Sequence, residues 1–146
     1  MTKRTETPPP PAPEPTPEQK EERRRENIAW LRERLRDERD RAKRELEAFA
    51  AKLAEDPVYQ LGWAEGAYDA AGTYHVLAEV MAAFDEGCSA KDALATVTRE
   101  ALRGARFPER STSATSNRLA QAKTAAYAHA IERLEQLAKL EAGEGA

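Results

Sequence analysis

A single cysteine, Cys88, stands in a chain of 146 residues, so neither an intramolecular disulfide framework nor a cysteine-based zinc site is open to it. Long apolar runs are missing as well. A membrane helix needs about 18 consecutive apolar residues, and the best candidate, Val58 to Phe84, is interrupted by Glu65, Asp69 and Glu79. The opening MTKRTETPPPP is basic but carries no apolar segment, so no secretory signal is expected. There is no glycine-rich phosphate loop, no nucleophile elbow and no paired-carboxylate pattern that would mark acid–base chemistry. These gaps lead to the expectation of a soluble cytoplasmic protein that is not an enzyme and binds no cofactor.

Aromatic residues are scarce too, nine in all, and five of them (Tyr59, Trp63, Tyr68, Tyr74, Phe84) fall between Asp56 and Gly87. That same stretch contains no Lys or Arg. The net charge of -3 is therefore unevenly spread: residues 1–56 hold 14 basic and 14 acidic groups, 57–87 hold five acids and no base, and 88–146 hold nine bases and seven acids. The whole chain is not a nucleic-acid-binding polycation, and its aromatic segment is its acidic part.

What the sequence has in quantity is charge (34%) together with Ala, Glu, Arg and Leu, the composition of helical and coiled-coil proteins. No strand pattern or internal repeat is visible, and the length suits one domain. Seven of the nine prolines lie in residues 1–17, which predicts an extended, disordered leader, since proline fixes φ and lacks an amide donor. A proline-reading partner would need a placed basic residue, for which only Lys3 and Arg4 are near.

A first helix is predicted over 18–55, with Ile28, Leu31, Leu35, Ala42, Leu46, Phe49 and Leu53 recurring at helical spacing. At 1.5 Å per residue it is about 57 Å long, more than a body of the remaining residues would span. It is therefore expected to protrude as a coiled-coil-like arm and to meet a second copy or another protein. Its Arg-rich start does not make a DNA-reading arm, because Lys20–Glu45 mixes 11 bases with eight acids and Trp30 follows Asn27 closely.

The second helix is predicted from Pro57 to Glu86, with Asp56 as N-cap and Gly87 past its end. Tyr59, Trp63, Ala67, Ala70, Tyr74, Leu77, Met81 and Phe84 form its apolar face, and Gly62 with Gly66 offers close approach to a neighbouring helix. A third helix follows over Ala90–Arg103, capped by Ser89 and ended by Gly104, with Leu94, Val97, Ala101 and Leu102 inward. Pro108 interrupts, and a fourth runs from Ala114 to about Glu141 before a frayed tail. The fold class expected is all-α: leader 1–17, arm 18–55, a bundle of three further helices over 56–142, and tail 143–146.

Four sets of residues carry the functional expectations. Ile28, Trp30, Leu31 and Leu35 on the arm are candidate partner contacts, as are Glu65 and Asp69 on the acidic helix, which would meet a basic partner. Tyr68, His75 and Glu79 flank the apolar face at helical spacing and make a candidate polar site; a metal there would need His129 and Glu132 as a second pair. Arg99, Arg103, Arg106, Arg110 and Arg118, around Phe107, make a candidate anion or nucleic-acid surface, and can equally pair with the acidic helix of the same molecule or of a neighbour. Cys88 in its turn is expected to be a small apolar filler. The leading expectation is a self-associating helical adaptor or scaffold; the alternatives are a nucleic-acid-binding accessory protein and an inhibitor- or chaperone-like binder of a basic partner.

Overall fold

The structure, a computed structural model, describes residues 7–58, 64–106 and 114–144, with only the backbone of 105, 106 and 114–116. It is all-α: α1 (Pro17–Glu55), α2 (Ala64–Asp85), α3 (Ala90–Arg106) and α4 (Ala114–Glu141), with no strand among the described residues. The starts and stops have local causes. Thr16 caps α1 by accepting from the Gln19 N–H while the Gln19 side chain accepts from the Thr16 N–H, with Pro17 pre-set at the first helical position. Asp56 closes the same helix, its N–H donating to the Lys52 carbonyl. Gly87 (φ 86°) and Gly143 (φ 81°) occupy the left-handed conformation that ends α2 and α4.

Partner contacts fix the topology. Arg24 reaches the Leu140 carbonyl and Glu38 meets His129, so α1 and α4 run antiparallel. Arg118 meets Glu65 and Asp69, and Gly72 lies against Ala122, so α2 and α4 run parallel. The main packing sequence is α1 on α2, α2 on α4 and α4 on α3, while α1–α4 and α2–α3 touch more sparsely. α2 and α4 thus form the central pair, flanked by α1 and α3. Their crossing is close because small residues meet there: Gly72 on one side, the row Ala122, Ala126, Ala130 on the other, all buried. Around it Leu35, Val76, Leu77, Val80, Val97, Leu134 and Leu137 are almost fully enclosed.

Several expectations change against this arrangement. α1 does not stand apart from a three-helix body, since Leu31 and Leu35 belong to the common core and Ile28 packs on it. Its apolar stripe finds α2 within the same chain, and Leu46, Phe49 and Leu53 are half-buried. Laid alongside one another, α4 at about 42 Å spans most of α1 at about 58 Å, so α1 exceeds its neighbour by only roughly 16 Å. The inward side of α2 is also wider than expected. A helix between two partners needs two faces, so Gly72, Val76 and Val80 join Ala70, Leu77 and Met81 inside, while Tyr74 and Phe84 are half-buried.

Close approach belongs to Gly72, whereas a side chain built on Gly66 would meet nothing within 4 Å; Tyr59, Gly62 and Trp63 lie outside the described residues. α3 runs through Gly104 to Arg106, since one internal glycine costs only about 1 kcal/mol. Leu102, expected inward, is 62% exposed, because it lies about 140° round the helix from Val97. The tail is tied as far as Glu144, whose N–H donates to the Lys139 carbonyl. In the leader, residues 7–16 are irregular and outside any helix.

Candidate interaction site

The side of α1 that does not enter the core carries one conspicuous apolar group. Trp30 is 57% exposed, one of three large hydrophobic residues so exposed among those described, with Val58 and Leu102. It sits one position before the buried Leu31, so helical geometry turns it about 100° away from the core. The Arg34 guanidinium lies 5.3 Å over its ring, a cation–π contact that holds the indole against the helix surface. Between Trp30 and the end of α4 is an open groove of about 390 Å³ lined by Asn27, Trp30, Leu31, Gln136, Lys139, Leu140 and Glu144. Of the expected arm contacts, Trp30 alone is freely presented. Ile28 is half-buried, and Leu31 and Leu35 are spent in the core.

The groove has a rigid frame. Arg24 donates to the carbonyls of Leu140 and Glu141, satisfying acceptors that the end of α4 leaves open. The Glu141 carboxylate accepts from Arg32 on α1 and from the Ala90 N–H at the start of α3, and Arg32 lies 4.3 Å over the Phe84 ring at the end of α2. One end of all four helices is therefore laced together. Arg24 also grips Glu21 and holds its carboxyl below the ordinary value through that hydrogen bond. This junction escaped the sequence reading, because its members are scattered from position 24 to 141. Only the Thr16–Gln19 capping pair was there to be read locally.

The acidic pair has a partner inside the chain. Arg118 on α4 binds Glu65 and, at 2.9 Å, Asp69, and the hydrogen bond it donates to Glu65 raises the guanidinium above its ordinary pKa. Arg118 is thereby engaged within the chain. Arg99 and Arg103 are exposed on α3 and make no ion pair among the described residues, as does Lys91. The Arg106 side chain, Phe107 and Arg110 lie outside what is described.

The polar trio is partly assembled. His75 and Glu79 stand 3.4 Å apart with both side chains about half exposed, and Tyr68 is half-buried on the same helix. The structure adds Tyr127, whose phenol is pushed up by burial and further by the carboxylates of Glu79 and Glu100. His129 does not join Glu132 in a second pair; it reaches Glu38 at 2.8 Å, beside Arg34 and Arg133. Among the described residues no three His, Cys, Asp or Glu side chains converge as metal ligands would. Cys88 is half-buried, and its N–H donates to the Ala83 carbonyl in the turn after α2.

Tyr127 supplies a pH prediction. A phenol whose folded pKa is raised keeps the fold fully stable below its unfolded value of about 10. Stability then falls as pH rises through the folded value, because the unfolded chain releases the proton first. Denaturant titrations of wild type and Tyr127→Phe from about pH 8 to about pH 11 are expected to show a steeper alkaline loss in the wild type. Parallel curves would show that the phenol is not held in its neutral form.

No helix among the described residues is long and apolar enough to cross a membrane. Comparisons with protein-family models, curated proteins and solved structures gave no match to this chain, so the functional reading rests on the surfaces themselves.

Proposed function

We propose that the protein is a non-catalytic helical adaptor that self-associates through the outward side of α1, with Trp30 at the centre of the contact. The observation that carries this reading is the exposure of Trp30 beside a preformed groove on the laced end of the bundle. Tryptophan and arginine are the residues that most often dominate binding energy at protein interfaces, and here Arg34 is stacked on the ring. The coiled-coil seam itself is not the contact in this reading, since Leu31 and Leu35 are already covered. Sedimentation equilibrium tests it: the mass should rise above 16.2 kDa with concentration and return toward it in Trp30→Ala. A wild-type chain of monomer mass up to about 200 μM, a range that detects even weak association, would refute it.

One observation favours a second reading, a nucleic-acid-binding accessory role. Lys91, Arg99 and Arg103 are exposed cations on α3, with no ion pair among the described residues. If these groups contact phosphates, affinity for a labelled oligonucleotide must fall steeply with salt, with a log–log slope of about -0.7 to -0.9 per contact. Arg99→Glu with Arg103→Glu should then abolish the binding, and unchanged binding would remove this reading. The acidic pair Glu65 and Asp69 is engaged by Arg118, so a basic partner would have to displace an arginine already in place.

A further inference from the structure

The groove beside Trp30 has a chemical counterpart in the same chain. From Thr7 to Pro17 every residue is either a proline or stands immediately before one. The ring fixes φ in the first case, and steric clash with the ring confines the second to extended backbone. Thr16, at φ -64° and ψ 159°, has this conformation, close to that of a polyproline II helix. Ten such residues, Thr7–Thr16, make a stiff rod of about 31 Å at 3.1 Å per residue. Its carbonyls have no internal partners, and residues 7–14 are exposed. Little further ordering entropy is lost when such a rod binds.

Surfaces that receive polyproline rods offer an aromatic face for the pyrrolidine rings and side-chain donors for the carbonyls. The Trp30 groove has both. Trp30, Leu31 and Leu140 form its apolar walls, and Asn27, Gln136 and Lys139 bring N–H donors to its edges. Lys139 can meet Glu14, the one charged residue of the described leader, while Glu144 on the same lining leaves the groove with no net charge. Its volume of about 390 Å³ holds a short run of prolines and not a whole helix.

The chain's own leader does not reach it. Trp30 lies 14 residues into α1, about 21 Å from Thr16, and folding back would need a chain reversal within a segment whose every residue is held extended. We infer that the Pro8–Pro15 segment of one copy docks in the Trp30 groove of a second copy, reciprocally, in a two-fold dimer. The inference rests on the proposed self-association through α1 and names what fills its contact. A closed two-fold exchange uses the leader and the groove of each copy once.

The test compares three full-length proteins by sedimentation equilibrium, with helicity checked by circular dichroism: wild type, Trp30→Ala, and a leader variant carrying Pro8→Ser, Pro9→Ser, Pro10→Ser, Pro11→Ser and Pro13→Ser. Each variant should weaken self-association by about tenfold or more, the loss typical of an interface hot spot. A mixture of the two variants should associate better than either alone, because one contributes an intact groove and the other an intact leader. If the leader variant assembles like wild type while Trp30→Ala does not, something else fills the groove; the leader inference is then overturned and the self-association reading stands. If Trp30→Ala assembles like wild type, or wild type stays monomeric, both are overturned. A change in Trp30 emission between wild type and leader variant that is independent of concentration, read in a Trp63→Phe background, would place the leader on its own chain and overturn the exchange.

Discussion

Gly72→Ala is expected to destabilise the protein by about 1–2 kcal/mol, an overpacking cost of about 2–3 kcal/mol less a helix-propensity gain of about 1 kcal/mol. The added carbon would stand 2.7 Å from the Ala122 carbonyl carbon, 2.8 Å from its oxygen and 3.0 Å from the Lys123 nitrogen. All three are backbone atoms, so no flexible side chain can swing aside, and α2 and α4 must separate at the crossing. Parting them loosens the contacts of Val76, Val80, Ala126 and Ala130 along the same interface. For a chain of this size the loss corresponds to roughly 3–8 °C in melting temperature. Gly66→Ala is the built-in control, since nothing lies within 4 Å of its added carbon. It should stabilise by up to about 1 kcal/mol. Thermal and urea unfolding of the two variants should therefore move in opposite directions, and equal shifts would mean that α2 and α4 do not cross at Gly72.

Leu35→Ala and Trp30→Ala should separate two roles carried by one helix. Leu35 is 1% exposed within the shared core, and removing its side chain is expected to cost about 3 kcal/mol. Trp30 is mostly outside, and its contact with Arg34 is an exposed cation–π pair worth about 0.5–1 kcal/mol. Trp30→Ala should therefore leave monomer stability within about 1 kcal/mol of wild type while it lowers self-association. The two effects are read in urea titrations at a concentration below the onset of assembly. If Leu35→Ala unfolds at the wild-type urea midpoint, α1 is not part of the core.

The helices themselves were legible in the sequence because their signals are local. The spacing of Ile28, Leu31, Leu35 and Ala42 marked α1, Gly87 marked the end of α2, and Ser89 marked the start of α3, where its hydroxyl accepts from the Asp92 N–H. Which helix covers which face was not legible, for three physical reasons. A helix between two neighbours buries two faces, so a single apolar stripe on α2 underestimated its interior and did not include Gly72, Val76 or Val80. A glycine pair at a favourable spacing carries no information about whether a backbone lies opposite, and here the close approach sits six residues beyond Gly66. Long-range ion pairs also join residues far apart in sequence. The sequence allowed the basic group to pair with the acidic helix, but not that Arg118, rather than Arg99 or Arg103, would take Glu65 and Asp69. The site followed the same rule. Trp30 stood among the candidate partner contacts of the arm, but the groove beside it needs Gln136, Lys139 and Leu140 from the other end of the chain.

α1 completes the core of its own chain through Leu31, Leu35 and Ala42 and leaves Trp30 on its exposed side. Native-state hydrogen exchange on α1, at a concentration where the protein is monomeric, tests it most directly. Amides from Leu31 to Ala42 are expected to exchange only through global unfolding, with the same protection free energy as those around Leu134 on α4. Rapid exchange of these α1 amides in dilute solution, becoming slow only as concentration rises, would contradict it and show an arm that is ordered by assembly.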